Sequence, residues 1–165
     1  GAGGYGCWGL NNYGQTTPTL LPFRTGMYYR QLSRGSFHGC GIVNDGSARC
    51  WGYSGTGATT VPSGSWLALG EGDQFSCGLR SNGTLACWGG AMTATAVPTG
   101  GFKALSVGEQ HACAIRDSGE LACWGSNAHG QATPPAGRYV HVSASYTQTC
   151  AVGDDGTRTC WGGAP

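Results

Sequence analysis

The sequence predicts an all-β chain built as tandem, propeller-like blades of short antiparallel strands, with no significant helix. Three observations lead there. The triplet Cys-Trp-Gly starts at residues 7, 50, 87, 123 and 160, at steps of 43, 37, 36 and 37 residues. A period in that range marks propellers, solenoids or arrays. The last four triplets are each preceded, ten positions earlier, by a second cysteine, with a turn ending in glycine between the two. No window shows helical periodicity, and short apolar runs alternate with turn residues instead.

Each cysteine pair reads as a hairpin. Cys40 to Trp51 turns at Asn44-Asp45-Gly46, and Cys77 to Trp88 at Ser81-Asn82-Gly83. Cys113 to Trp124 turns at Asp117-Ser118-Gly119, and Cys150 to Trp161 at Asp154-Asp155-Gly156. A three-residue loop with left-handed glycine last is a type I turn plus bulge. Counting back from it sets each cysteine opposite its partner at a non-hydrogen-bonded pair, where side chains approach closest. A cross-strand disulfide is geometrically reasonable there. The expected bridges are Cys40–Cys50, Cys77–Cys87, Cys113–Cys123 and Cys150–Cys160, each contributing about 3 kcal/mol. Free buried cysteines or a metal are the alternative. No C-x-x-C and no second ligand pair at fixed spacing supports the metal.

Ahead of each hairpin lies a further strand: Tyr28 to Arg34, Trp66 to Gly70, Phe102 to Val107 and Tyr139 to Ala144. Each carries an aromatic residue eleven positions before the cysteine (Tyr29, Trp66, Phe102, Tyr139) and an aliphatic one eight before it (Leu32, Leu69, Leu105, Val142). Pro22, Pro62, Pro98 and Pro134 mark the lead-ins, because proline cannot donate to a central ladder. In the returning strand Cys and Trp are adjacent and point to opposite faces. Both are apolar, so the sheet needs cover on both sides, as radially stacked blades provide. The triplet tryptophans are then interblade core, with sugar binding the lesser reading. The chain divides as one repeat domain over 1–165, with a partial repeat at 1–27 and repeats of about 28–65, 66–101, 102–138 and 139–165.

The segment Gly1 to Gly9 reads as a returning strand whose outgoing strand is absent. Cys7 is the odd cysteine: free, bonded to another chain, or paired with residues outside this sequence. A strand such as Gly3 to Trp8 is a template for another chain's edge. Two rim loops match closely, Gly9 to Gln15 and Gly125 to Gln131. Their Asn11, Asn12, Tyr13, Gln15, Asn127, His129 and Gln131 are the candidate binding residues. The middle loops, Tyr53 to Thr60 and Gly90 to Ala96, have drifted to Gly, Ala and Thr.

Formal net charge is +1, charged residues make up 10% of the 165, and Lys103 is the only lysine. Nucleic acid and acidic membrane surfaces need a basic stripe that this chain lacks. No apolar run is long enough to span a bilayer. Nine cysteines in an oxidisable pattern point to an extracellular or cell-surface protein. The lack of an initiator Met and of a signal peptide reads as a mature or trimmed chain. The four histidines have no metal spacing, and His38 and His111 hold one repeat position, which suits a structural hydrogen bond. Asp45, Asp117, Asp154 and Asp155 are turn residues. Glu71, Asp73 and Glu109 recur between the first and second strands of the repeats, as if lining one rim. There is no Gly-x-Ser-x-Gly elbow and no phosphate loop. The expectation is therefore no catalysis, no cofactor and no metal. Asn82-Gly83-Thr84 is an N-glycosylation sequon at a hairpin tip.

The run Gly108, His111, Cys113, Ala114, Ile115, Asp117, Gly119, Leu121, Cys123, Trp124, Gly125, Asn127, Gly130 and Gln131 resembles the repeat of the regulator of chromosome condensation family. The paired cysteines look like its extracellular variants, among them secreted bacterial proteins and ectodomains of crinkly-type plant receptor kinases. The resemblance covers essentially the whole chain. It implies a propeller of four-stranded blades, usually seven. It does not imply one function, since members include an exchange factor, a β-lactamase inhibitor and receptor ectodomains. Phe75 and Gln148 replace the repeat's histidine. Seven blades would need roughly 260 residues at this period. The chain is then a fragment of a longer propeller, one of several copies that complete a ring, or an open array that stacks into a fibre or surface structure; the leading expectation is a non-catalytic extracellular module, structural or interacting, that assembles with copies of itself. The rival reading is a receptor- or inhibitor-type propeller whose rim loops bind another extracellular protein or a glycan. Intact mass of the native chain should lie eight hydrogens below the reduced value, with one alkylatable thiol at Cys7; eight or nine free thiols would refute the stapled hairpins.

Overall fold

The computed structural model describes residues 7–18, 26–90 and 96–163. The lead-in Pro22, most of the loop Gly90 to Ala96, and Gly1 to Gly6 of the expected first strand lie outside the described residues. Twelve strands follow in four groups of three. Blade 1 holds β1 (Tyr29–Arg34), β2 (His38–Val43) and β3 (Ala48–Gly52). Blade 2 holds β4 (Trp66–Glu71), β5 (Ser76–Arg80) and β6 (Leu85–Trp88). Blade 3 holds β7 (Phe102–Val107), β8 (His111–Arg116) and β9 (Leu121–Gly125). Blade 4 holds β10 (Tyr139–Ser145), β11 (Gln148–Gly153) and β12 (Arg158–Gly162). Each blade is an antiparallel sheet in sequence order.

The hairpin turns set the register. In blade 1, Gly46 N–H donates to Val43 O at 2.9 Å and Val43 N–H to Ser47 O at 2.8 Å. Gly46, Gly83, Gly119 and Gly156 all take positive φ, between 82° and 96°, where a side chain would be strained. From these turns the ladders run back to pair Cys40 with Cys50, Cys77 with Cys87, Cys113 with Cys123 and Cys150 with Cys160. All four pairs are disulfide-bonded, with Cα atoms 4.0 to 4.1 Å apart.

The first strand of every blade contains a bulge just after its aromatic residue, at Tyr29/Gln31, Trp66/Ala68, Phe102/Ala104 and Tyr139/His141. Residues three apart in a regular strand face opposite ways. The extra residue of a bulge restores them to one face, so Trp66 and Leu69 both lie over Gly78. A Cβ there would sit 2.4 Å from the Trp66 ring and 3.0 Å from Leu69. The middle strand's glycine is thus the floor on which aromatic and aliphatic side chains meet.

Each blade has a cystine face and a tryptophan face, and blades stack cystine face onto tryptophan face. At the first joint Cys40 and Ile42 of blade 1 pack on Trp66, Leu69 and Trp88 of blade 2. At the second, Cys77 and Leu79 meet Phe102, Ala114 and Trp124. At the third, Cys113 and Ile115 meet Tyr139, Val142 and Ala151. Among the described residues each blade has three strands, whereas the family resemblance implies four. The triplet glycines Gly52, Gly89, Gly125 and Gly162 take positive φ, and after Gly52 and Gly125 the chain leaves the ladder for a loop.

Those loops are tied down by main-chain carbonyls. Gln15 O, Ala58 O and Gln131 O accept the indole N–H of Trp51 (3.0 Å), Trp88 (2.8 Å) and Trp161 (2.9 Å). The drifted loop 53–60 keeps the fold of its relatives: Gly57 N–H to Ser54 O repeats Gly14 N–H to Asn11 O and Gly130 N–H to Asn127 O. Trp124 Nε1 has no partner among the described residues. Trp88→Phe should therefore cost about 1 kcal/mol more than Trp124→Phe in urea unfolding, the worth of one buried hydrogen bond; equal costs would mean the indole bond contributes nothing.

Candidate interaction surfaces

Among the described residues three joints are complete, and the two outermost faces are not. The leading face is the tryptophan face of blade 1, built from Tyr29, Leu32, Gly39, Gly41 and Trp51. Against it lies a groove of about 730 Å³, lined among others by Cys7, Trp8, Leu10, Leu32, Arg34 and Trp51. Leu32 is 38% exposed here, while its counterpart Leu69 is 5% exposed inside a joint. Trp8 is 89% exposed. Cys7 is a free, exposed thiol, and neither it nor Trp8 lies in a strand. Their expected strand has no outgoing partner among the described residues, and a lone strand has no ladder.

The trailing face is the cystine face of blade 4. Cys40, Cys77 and Cys113 are wholly buried under the next blade, but Cys150 is half-buried and Cys160 exposed. Side chains on this face are more polar than in the joints. His141 stands where the register of blade 3 has Ala104, and Arg158 where it has Leu121. A polar residue at the first of these positions is compatible with a joint, since Gln31 of blade 1 donates its amide to Leu69 O across the first one, at 3.1 Å.

The two repeat histidines cross joints. His38 Nε2 lies 2.8 Å from Ser76 Oγ, and His111 Nε2 2.7 Å from Thr149 Oγ1. Ser76 donates its own proton to Ala58 O and Thr149 to Gln131 O, both at 3.0 Å. Each imidazole therefore carries its proton on Nε2 and donates it. Burial lowers the His38 pKa to about 4, overcoming Asp73 and the Phe75 main chain, which favour the charged form. Burial also lowers that of His111. Both stay neutral near pH 7, which suits a structural bond and leaves no base open to substrate. At the second joint Phe75 replaces histidine, and Ala112 replaces the hydroxyl residue. The sequence held a signal for this coupling in the residue just before each first cysteine of the next blade, where Ser76, Ala112 and Thr149 follow His38, Phe75 and His111.

The rim loops use most of their polar side chains internally. Asn11 Oδ1 accepts from Thr16 N–H at 2.9 Å and Asn127 Oδ1 from Ala132 N–H at 2.8 Å. Gln15 Oε1 and Gln131 Oε1 accept from Tyr13 and His129 N–H, each at 2.9 Å. Asn12, Tyr13 and His129 are exposed. Tyr13 also meets Phe37 and Tyr53 edge-on, with ring centroids 5.6 and 5.3 Å apart. The corresponding spot one repeat on is polar, with Thr56 Oγ1 donating to Gln74 O.

Of the acids set apart by the sequence, Glu71 and Glu109 line a second cavity of about 330 Å³ with Arg34, Ser145 and Tyr146, where the first strands of the four blades end. Asp73 N–H donates to Glu109 O at 2.9 Å. Burial and then the Asp73 charge raise the Glu109 pKa. Glu71 is buried, and neither carboxyl oxygen has a hydrogen-bond partner. Among the described residues no three His, Cys, Asp or Glu side chains gather to hold a metal, and no helix is long and apolar enough to cross a membrane. Asn82 is exposed at its hairpin tip, its Oδ1 accepting from Thr84 N–H and Oγ1.

Blades that stack cystine face on tryptophan face, each closed by a disulfide across its hairpin, define a propeller-type repeat array. The chain is similar to the regulator of chromosome condensation repeat family in its disulfide-containing form, and residues 102–131 match that family's RCC1 repeat. The ectodomain of the receptor kinase CR4 from Physcomitrella patens superposes with a TM-score of 0.71 at 30% identity, over 86% of this chain and 43% of that one. The CRINKLY ectodomain of the Arabidopsis thaliana receptor kinase ACR4 gives 0.69 at 27% identity, over 87% and 55%. Yeast RCC1 (Prp20), solved bound to Kap60, shares the fold at 0.70 and 16% identity, over 86% and 45%. The chain thus spans about half the length of these structures. No curated protein matches it. If the joint chemistry is modular, Phe75→His and Ala112→Ser should each destabilise alone and together recover about 1 kcal/mol of coupling in a double-mutant cycle; additive losses would refute the pairing.

Proposed function

We propose that this chain is a non-catalytic extracellular interaction module whose open blade faces are closed by blades of further copies. The observation that carries this is the complementarity of its two ends. The leading tryptophan face and the trailing cystine face are the two halves of a joint that the chain builds three times internally. A copy docked this way repeats known contacts. Its Cys150–Cys160 bridge would cover Trp51, and its His141 would stand where Gln31 reaches a main-chain carbonyl. A heterologous contact of this kind closes into a ring or runs on as a filament. Cys7, free and beside the groove, would be available for a bond between chains. The disulfides and the likeness to receptor ectodomains support an extracellular setting. Asn82 stands on a hairpin tip, where a glycan would obstruct neither face.

A second reading has its own support. The exposed Tyr13 and Tyr53 with half-buried Phe37, and with Asn12 and, on the matching loop, His129, would give a rim site for an extracellular protein or glycan.

Sedimentation of the native chain across a hundredfold concentration range separates the two. Assembly predicts growth to rings or fibres, and Leu32→Glu in the leading groove should shift it at least tenfold toward monomer while leaving the fold intact. A monomer at every concentration, or full closure to seven blades by flanking sequence of the same polypeptide, would remove the self-assembly reading and leave the rim.

A further inference from the structure

Joints two and three carry apolar or hydrogen-bonded groups at their inner edge, next to the cavity where the first strands end. At the second, Val107 lies against Gly70, whose Cβ position is 2.7 Å from a valine methyl. At the third, Ser106 Oγ accepts from Ala144 N–H at 2.8 Å. The first joint differs. The corresponding residue is Glu71, 6% exposed, with both carboxyl oxygens and the neighbouring Ser33 hydroxyl buried and unpartnered. A buried carboxylate without a partner opposes burial, whereas a neutral carboxyl group tolerates it. We propose that the first joint is a protonation-gated hinge, closed while Glu71 is neutral and loosened when it ionises, so that blade 1 and the leading groove swing away from blade 2.

The surroundings fit this assignment. From β1 come Ser33 and, at the strand end, Arg34, which lines the cavity but leaves the carboxyl oxygens unpaired. From β5, Ser76 stands opposite Glu71 in the ladder and holds neutral His38. The turns bring Asp73 and Glu109, both acidic. Burial pushes the Glu71 carboxyl up from 4.5 to about 7. Ser33 favours the ionised form, but no hydrogen bond of sound geometry joins the two groups. The cavity gives protons and water a route to the hinge.

The sign follows from linkage. A carboxyl group whose folded pKa is raised binds its proton more tightly when the joint is closed, so closure weakens as pH rises from 4.5 towards 7 and is weakest above that. His38, lowered to about 4 from 6.5, acts in the opposite sense and loosens the same joint as pH falls through that range. The joint is tightest in the window where both groups are neutral. The readout must therefore isolate Glu71 from His38. Hydrogen exchange of β1–β3 amides, corrected for intrinsic rate, should be compared between the unaltered chain and Glu71→Gln. The ratio of the two opening constants should rise roughly 50- to 100-fold from pH 5 to pH 8.5, because the His38 contribution cancels. Amides of β10–β12 should show no such change. A flat ratio, or the same rise in β10–β12, would overturn the proposal. If Glu71→Gln fails to fold, Glu71→Val, the residue of the third repeat, replaces it. Carboxyl-carbon NMR titration of the unaltered chain needs no variant. A midpoint near 7 for Glu71 is expected, and one below 5 would overturn the hinge. None of these readings depends on self-assembly, so the hinge and the assembly can fail separately.

Discussion

The contact on which everything else rests is the seating of a disulfide-bearing sheet face on the tryptophan face of the next sheet. Neither face is fit for water, because adjacent Cys and Trp in one strand send apolar groups both ways. A single blade therefore cannot bury itself, and stability belongs to the joints between blades. The disulfide acts one level down. It closes each hairpin covalently within its own repeat, and it presents a flat apolar surface where a charged or branched side chain would obstruct stacking. Hairpin closure is local, whereas joint closure is between repeats, and different residues govern the two.

Joint chemistry also varies along the chain. The first and third joints carry a relay from imidazole to hydroxyl to loop carbonyl, with the tryptophan indole donating to the same oxygen. The second replaces imidazole and hydroxyl with Phe75 and Ala112. Polar satisfaction or its complete absence are both acceptable in a buried seam, while half a pair is costly. This explains why the residue before each cysteine tracks a residue one repeat earlier. It also sets Glu71 apart, as the one carboxyl group among the described residues' buried polar groups left without a partner, beside the single ring nitrogens of Trp66, His111 and Trp124.

Much of this architecture was legible in the sequence. Strand starts at Trp66, Phe102 and Tyr139 follow from the aromatic position, and the turn glycines fix which cysteines face each other. The pattern that places Tyr29 and Leu32 three apart did not announce its bulge, because strand periodicity alone would put them on opposite faces. The rim residues were harder. Asn11, Gln15, Asn127 and Gln131 look like binding groups in one dimension, but their amide oxygens accept main-chain N–H groups two to five residues away in the same loop, a bond set by the loop's own conformation. Glu71 resembled its neighbour Asp73 in sequence, and only the position of blade 1 decides that one is buried and the other is not. Cys7 and Trp8 matched the returning-strand motif, yet a motif cannot supply the strand that should pair with it.

The loops after the triplets at 7, 50 and 123 are anchored through a backbone oxygen, that of Gln15, Ala58 or Gln131. A carbonyl is present whatever the side chain. The attachment of each loop is thus indifferent to its own sequence, which is how the loop from Tyr53 to Thr60 kept its conformation after losing asparagine and glutamine. Mutation can reach nearly every exposed position of that rim without loosening the frame beneath it. Such a surface can be rewritten for new partners, repeat by repeat, at little risk to folding.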